Sequence, residues 1–512
     1  MKNTQLIIKL FFSLLSLCII IYTSRLMLKG VGIDHSTRNI LLLSIMIIIF
    51  NSSRKAFWFI IFPIVLLHAI YSPIGSIFGI PNYQYIASIF ATDLLESKEF
   101  FSQIPAGNYA YPLVIIMGVL SFRFITKKYN IDFYRNKTIL CSFIFFAMIN
   151  QSPLIFIKEV IKSSLQVKDE LVKLNYMKEK SSWGLSSISP DSTYDNYIFI
   201  IGESARKDYL HAYGYPISNT PFMSSANGLL VDGLTSAGTN TVASLRLMLT
   251  SPNKNDWTPD YTRNFIELAN SAGFETYWIS NQGYISDYDT PITAVAKNSN
   301  HKYFLKYRDY ASKNTSDFEL LDLFEKIITE NPKQKKLIVL HLYGSHPDAC
   351  DRIADYKPIY TVSDKKYSYL SCYISSINKT DDFIKKVYEL ANAAYIKDKS
   401  SYSMIYFSDH GLAHRDIDGV INFNNNRASK LHFNIPLFMT ASDIHERKVC
   451  SSFKSGLNFT NGIANWLGIT NDKLDPNYSL FDCKDDPEDY GLSKIISEIP
   501  GEPDPAIDIR GK

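Results

Sequence analysis

Hydrophobic residues are spread unevenly along this chain. In the first third they run together: residues 6–22, 40–50, 57–71, 111–125 and 138–157 are almost unbroken apolar stretches. Beyond about residue 158, apolar and polar positions alternate as in a water-soluble globule. A helix that crosses a bilayer needs about 20 mostly apolar residues, so the five stretches predict five membrane-spanning helices, the second borrowing flanking residues to reach that length. The first has no small-residue cleavage pattern and is followed by further apolar segments, so it reads as an anchor rather than a leader. Lys2 and Lys9, the pair Arg54 and Lys55, and the cluster Arg123, Lys127, Lys128, Arg135 and Lys137 all fall on one side of a five-span arrangement. An excess of lysine and arginine marks the cytoplasmic side. Arg25, Lys29 and Arg38 in the first outer loop weaken this contrast without reversing it. Everything after the fifth span is therefore expected outside the cytoplasm.

Residues 86–101, in a loop too long for a simple connection, have the pattern of an amphipathic helix lying at the outer bilayer surface and carrying Thr92, Asp93 and Glu96. The charged stretch 158–180 predicts a bridging helix, and 181–196, rich in Ser, Gly and Pro, a linker. From residue 197 strand-like runs at 197–201, 275–279, 336–342, 403–407 and 435–440 alternate with helix-like runs at 262–272, 316–329 and 378–393. Such alternation predicts a mostly parallel sheet with helices on both faces. The expected organisation is an α-helical transmembrane domain at 1–157, a bridging helix and linker at 158–196, and an α/β soluble domain at 197–512.

The formal net charge is +3 over 512 residues, which lacks the basic excess of a nucleic-acid binder. Of six cysteines, Cys18 and Cys141 sit in apolar runs. Cys350, Cys372, Cys450 and Cys483 are an even set in the polar part and suit an oxidising compartment, with Cys350–Cys372 and Cys450–Cys483 the simplest pairing by proximity. Four buried free thiols are the alternative.

In parallel sheets the chemistry sits beyond the carboxyl ends of the strands. The run Tyr197-Ile-Phe-Ile-Ile-Gly-Glu203 ends in a carboxylate, and Met404-Ile-Tyr-Phe-Ser-Asp409-His410-Gly411 ends in a carboxylate and an imidazole. Between them lies the hydroxyl-rich turn Gly238-Thr239-Asn240-Thr241. Oxygen and imidazole donors of this kind suit zinc, and a metal-bound Thr241 hydroxyl would be a nucleophile. Taken singly, each residue is as readily a helix cap, a turn former or one threonine among many. His341 lies within an apolar strand and reads as a core residue. His346, after Gly344-Ser345, is placed to hold a phosphoryl oxygen or protonate a leaving group. His414 and His432 are further candidates, with surface histidines as the alternative. Arg206 at an apparent helix start is either part of an anion site or an ordinary solvated charge.

In combination, the motifs Gly202-Glu203-Ser-Ala-Arg206, Tyr213-Gly-Tyr-Pro216, Thr220-Pro221, Gly238-Thr-Asn-Thr241, Gly344-Ser-His346, Cys372-Tyr-Ile-Ser-Ser-Ile377 and Ser408-Asp-His-Gly411 resemble the membrane-bound phosphoethanolamine transferases of Gram-negative bacteria. Those enzymes have an alkaline-phosphatase/sulfatase-like catalytic domain, and the resemblance spans nearly the whole chain. It implies Thr241 as nucleophile, with Glu203, Thr241, Asp409 and His410 binding Zn2+. It implies His346 and Asn281 in the substrate site, and Thr92 and Glu96 near the donor headgroup, with Ser88 where those enzymes often have asparagine. It also implies a bacterial inner-membrane protein with its catalytic domain in the periplasm.

The chain departs from the lipid A-modifying members. Ala237 and Leu247 stand near the nucleophile, where those members carry a cysteine pair. The region Val420-Ile-Asn422 lacks their histidine, leaving His414 or His432 to substitute, and their lysine after Asn281 is missing. These differences favour a relative that decorates another sugar, such as the lipopolysaccharide core. The implied reaction has two steps: Thr241 takes phosphoethanolamine from phosphatidylethanolamine, and a hydroxyl or phosphate of lipopolysaccharide then takes it from Thr241. A phosphoglycerol transferase of the same fold is the nearest alternative. A membrane-anchored sulfatase or phosphatase, or a non-catalytic binding protein, ranks below it.

Overall fold

The computed structural model of the chain describes residues 2–92, 94–133, 155–176, 180–190, 192–283, 290–306, 314–425, 429–499 and 504–512. The chain divides into two compact units, one of Met1–Ile86 with Ser102–Val167, the other of Ala87–Phe101 with Lys168–Lys512.

Among the described residues of the first unit, three helices are long and apolar enough to cross a membrane: Thr4–Gly30, Arg54–Phe78 and Ala106–Lys128. A fourth, Thr37–Phe50, is shorter. They pack through Ile20, Met27, Leu43, Ile47, Val65, Ile115 and Val119, while Leu6, Phe11, Phe59, Ile70, Leu113 and Phe124 point outward. Large apolar side chains on the outside of a helical bundle suit a hydrocarbon solvent. Gly118 lets two of these helices meet, because a Cβ there would lie 2.2 Å from Thr23 Oγ1. The fifth predicted span falls almost entirely on residues outside the described ones, and the bridging helix appears as Ile155–Tyr176. The single amphipathic helix expected over 86–101 is two helices, Tyr83–Ala91 and Leu94–Ser102. The first closes at Thr92, whose hydroxyl donates to Ser88 O at 2.5 Å.

In the second unit, the strands among the described residues are β1 (Ser187–Ile188), β2 (Asn196–Gly202), β3 (Gly228–Thr235), β4 (Glu275–Ser280), β5 (His301–Phe304), β6 (Lys336–His341), β7 (Tyr402–Ser408), β8 (Ala413–Ile417), β9 (Val420–Asn424), β10 (Leu437–Ala441), β11 (Arg447–Ser455) and β12 (Ile469–Thr470). Eight of them form one sheet in the order β11-β3-β10-β7-β2-β6-β4-β5. Its neighbours run parallel except β10, which is antiparallel to both β3 and β7. The expected mostly parallel sheet is observed, with β10 as its one antiparallel member among the described strands. β3 has no sequence counterpart because glycines at 228 and 233 interrupt its apolar run. Gly233 is required there, since a Cβ would sit 2.1 Å from Ser452 O of β11.

Central parallel strands are covered on both faces and read as continuous apolar runs. β2 obeys this. Tyr197, Phe199 and Ile201 pack on one side with Phe265, Leu268, Phe459 and Ile463, and Ile198 and Ile200 on the other with Tyr373, Ile374, Ile377 and Ile384 of the long helix Ser368–Asp398. The helix expected over 262–272 is Phe265–Ser271, started by the Asn264 side chain accepting from Glu267 N. The linker is tied down rather than free: Trp183 is fully buried and its Nε1 donates to Asn264 O at 2.8 Å. Arg206 is neither a solvated charge nor an anion site. Its guanidinium is buried, donates to Asp208 and Asp504 at 2.7 and 2.9 Å, and ties down the C-terminal segment 504–512 through Asp504 O.

Both expected disulfides are present, Cys350–Cys372 and Cys450–Cys483, with sequence separations of 22 and 33 residues. A bridge closing a loop of that size stabilises by about 3 kcal/mol in the chain-entropy account. Cys372→Ser in the full chain is expected to lower unfolding stability by roughly that amount, measured as the denaturant midpoint by tryptophan fluorescence without reductant. An unmoved midpoint would count against it.

Candidate functional site

Parallel pairing of β2 with β7 sets Gly202 opposite Ser408. The next residues, Glu203 and Asp409, therefore leave the sheet side by side at its carboxyl edge. Ser204 then takes a left-handed conformation, φ 59°, which a non-glycine residue adopts at a cost. The turn aims its N–H at Asp409 Oδ1 at 3.0 Å. The close approach of Gly344 also matters, because a Cβ there would lie 3.1 Å from the Glu203 backbone.

Glu203, Asp409 and His410 are buried to 1, 0 and 0 % exposure, and one potential ligand atom from each lies within 4.8 Å of the others. Glu203 Oε1 accepts from Ser204 Oγ at 2.5 Å, and its Oε2 accepts from Gln282 Nε2 at 2.7 Å. Asp409 Oδ1 accepts from the N–H groups of Ser204 and His410, whereas Oδ2 is buried without a hydrogen-bond partner among the described residues. His410 Nδ1 lies 2.7 Å from Gly411 O and so carries hydrogen. Its Nε2 faces Glu203 Oε1 at 3.3 Å and Asp409 Oδ2 at 3.4 Å. Thr241 opens the helix Thr241–Met248, whose N-cap Asn240 accepts from Ala243 N. The Thr241 hydroxyl donates to Glu203 Oε2 at 3.0 Å and lies 3.5 Å from His410 Nε2.

These residues fit a metal on their own geometry. An imidazole lone pair aimed at two carboxylate oxygens is repulsive unless a cation or a proton sits between them. An orphaned buried carboxylate oxygen makes the same demand. Without a metal the proton takes that place. Burial and the Glu203 charge push Asp409 up to about 8. His410 is raised to about 9 although burial alone would lower it, because Asp409 and Glu203 favour the imidazolium. Glu203 is held below the usual carboxylate range, its own burial being outweighed by His410.

His346 is near enough to Glu203 for their charges to interact, and its Nδ1 lies 3.3 Å from Glu99. Glu96 Oε1 is 3.8 Å from Lys306 Nζ. Thr92 makes the local bond to Ser88 O, and Ser88 Oγ in turn accepts from Asn240 Nδ2 at 3.2 Å, beside Thr241. Asn281 is not brought into the cluster: its amide donates to Thr315 O and Asp317 at 2.8 Å, and the next residue, Gln282, reaches Glu203 instead. His414 and His432 make local bonds, and His432 sits close to His410. His414 bonds Tyr209 OH at 2.9 Å, and burial beside Arg206 lowers it to about 4. His432 is buried, and its Nε2 accepts from Ala413 N at 3.0 Å. His341 is a core residue, lowered to about 4 by burial, with Ser280 Oγ at 3.0 Å. Gln282, Glu99, Lys306 and Arg352 were not singled out from sequence. Glu99 had one available signal, since it stands three residues after Glu96 and so shares its helix face.

The sulfatase family model matches residues 195–469, which include every member of the metal-like cluster. A Haemophilus influenzae relative, provisionally named a phosphoethanolamine transferase, is 47% identical over 402 residues, covering 77% of this chain and 82% of its own. Phosphoethanolamine transferase OpgE of Escherichia coli is 34% identical over 447 residues, covering 82% of this chain and 81% of its own. The integral membrane lipooligosaccharide phosphoethanolamine transferase A of Neisseria meningitidis shares the fold, with a TM-score of 0.60 at 17% identity over 90% of this chain and 95% of that one. With a sulfatase-type sheet, apolar helices ahead of it and relatives of this kind matched over most of both chains, the chain belongs to the membrane-bound phosphoethanolamine transferases of the sulfatase family.

Proposed function

We propose that the chain transfers phosphoethanolamine from phosphatidylethanolamine to a sugar hydroxyl or phosphate of lipopolysaccharide, in the core or lipid A, through a covalent intermediate on Thr241. The site works on the periplasmic side of the bacterial inner membrane, a location supported by the loop charges and by two disulfides outside the apolar segments. Glu203, Thr241, Asp409 and His410 hold zinc, whose preference for oxygen and imidazole donors matches this set. The observation that carries the reading is the Thr241 hydroxyl, hydrogen-bonded at 3.0 Å to a buried carboxylate that also faces His410.

When bound, zinc lowers the pKa of a ligating hydroxyl and offsets charge on the phosphoryl oxygens. The protein supplies the rest. Glu203 Oε2 accepts the Thr241 proton along the existing hydrogen bond. Gln282 holds that carboxylate from behind. The first turn of the helix Thr241–Met248 favours the anionic phosphoryl group. His346 gives a proton to the departing glyceride oxygen and later takes one from the acceptor hydroxyl. A covalent intermediate lets two bulky lipid substrates use one site in turn.

Peptide mass spectrometry of the full chain after incubation with zinc and phosphatidylethanolamine is expected to find phosphoethanolamine on Thr241. With phosphatidylglycerol no adduct is expected. A glycerol-phosphate adduct would move the chain to the phosphoglycerol transferases, and no adduct from either lipid would overturn the reading. Thr241→Ala is expected to cut transfer by about 10⁴-fold or more with zinc still bound. Survival of activity would remove Thr241 from the nucleophile role.

Metal affinity is expected to rise with pH. The metal-free site carries protons on Asp409 up to about 8 and on His410 up to about 9, and a cation must displace them. Affinity therefore increases as pH rises towards 9 and flattens beyond it. Chelator competition at stepped pH tests this, and a flat profile between pH 6 and 9 would refute it.

A further inference from the structure

Glu99 lies on the helix Leu94–Ser102 and is 3% exposed. Three side chains converge on its carboxylate. His346 Nδ1 is 3.3 Å from Oε2, Tyr343 OH donates to Oε2 at 3.4 Å, and Arg352 Nη2 pairs with Oε1. Pro347 O also lies 3.3 Å from His346 Nδ1. This nitrogen faces two acceptors and therefore carries hydrogen. The Tyr343 ring stacks on the imidazole, centroids 4.8 Å apart and planes at 19°. That ring is itself flanked by Arg352 Cζ at 4.2 Å and Lys306 Nζ at 3.9 Å. The imidazole is thus held at one edge and on one face. Its Nε2 has no hydrogen-bond partner among the described residues, and the side chain is 19% exposed. Burial alone would lower His346, but the bond to Glu99 and the charges of Glu96 and Glu203 raise it.

We propose that Glu99 is the positioning residue for His346, fixing Nδ1–H inward so that Nε2–H is presented to the oxygen that leaves phosphorus. This rests on the phosphoryl-transfer reading above. In the first step the Thr241 Oγ–P bond forms and the P–O bond to the glyceride breaks. The electron pair of that bond stays on the glyceride oxygen, which takes the Nε2 proton, while the Thr241 proton passes to Glu203. In the second step an acceptor hydroxyl attacks phosphorus and returns a proton to Nε2, and Thr241 recovers its own proton as the Oγ–P bond breaks. Glu99 touches no reacting atom. Arg352 compensates its charge, so the carboxylate serves the imidazole without adding an unpaired charge.

The test compares two donors on the zinc-loaded full chain. Phosphatidylethanolamine has an alkoxide leaving group that needs a proton, whereas a p-nitrophenyl ester of phosphoethanolamine has a phenolate that does not. Glu99→Gln is expected to lower the ratio of lipid to aryl kcat by about 10- to 100-fold, with KM for the lipid changed far less. Glu99→Asp, which keeps the carboxylate, is expected to retain part of the ratio, and it carries the test if the glutamine variant does not fold. The Glu99→Gln, His346→Gln double variant is expected to be no worse in this ratio than the worse single one, as for residues acting as a unit. An unchanged ratio, an equal loss with both donors, or additive losses in the double variant would each overturn the assignment. A wild-type chain inert towards both donors would instead defeat the transferase reading on which it rests.

Discussion

Two carboxylates and an imidazole occupy a volume that water does not reach, with the imidazole lone pair directed at the carboxylate oxygens. Buried ionised groups are costly unless paired, and this unit contains other buried ionic clusters that show how the cost is met. Arg206 pairs with Asp208 and Asp504, whose side chains are 28 and 17% exposed. Lys454 pairs with Asp482, 29% exposed, as well as with the buried Asp486. In each, a protein cation is present and a carboxylate keeps access to solvent. Glu203 and Asp409 have neither resource, and His410 in its neutral form brings no charge. A dication would balance the two carboxylates, and Asp409 Oδ2, without a hydrogen-bond donor among the described residues, would be free to ligate it.

The sheet makes this concentration of charge attainable. A parallel pair in register delivers corresponding residues to the same edge at the same height, so β2 and β7 bring Glu203 and Asp409 together without a long loop. The left-handed Ser204 and the close approach of Gly344 then turn the backbone to supply N–H and O–H donors. Three donors satisfy Asp409 Oδ1 and Glu203 Oε1, leaving the outer lone pairs for a metal. Strain at Ser204 is offset by the network that surrounds it.

Much of this was legible in the sequence because the relevant signals are local. Apolar runs ending in Glu203 and in Asp409-His410 identify strands and their carboxyl edge, and the strands over 197–201, 275–279, 336–342 and 403–407 recur within a residue or two. The paired cysteines follow from proximity. What escaped depends on tertiary context. β3 was hidden by two glycines, Gly228 where β10 comes close and Gly233 where β11 does. Asn281 looked like a donor ligand but spends its amide on Thr315 and Asp317, one residue short of Gln282. His414 and His432 were placed near Asp409-His410 by sequence distance. In the fold His414 bonds Tyr209 OH and His432 accepts from Ala413 N. Arg206 looked exposed, and only the return of residues 504–512 buries it.

The acidic residues of 94–102 illustrate a different limit. In sequence they stand between two apolar segments, where the pattern placed Glu96 on a helix at the bilayer surface and gave no role to Glu99. In the fold Glu99 belongs to the catalytic unit, and Glu96 with it. The metal-like cluster and Gln282 lie wholly within 203–410. A chain beginning at residue 168 would retain all of them but would lose both the Glu99 carboxylate beside His346 and the Ser88 hydroxyl bonded to Asn240 beside Thr241. In the proposed reaction, activation of Thr241 and orientation of His346 would thus depend on separate parts of the polypeptide. The first needs only strand ends. The second needs a helix encoded among the membrane segments, which ties this step of the chemistry to the part of the chain that meets lipid.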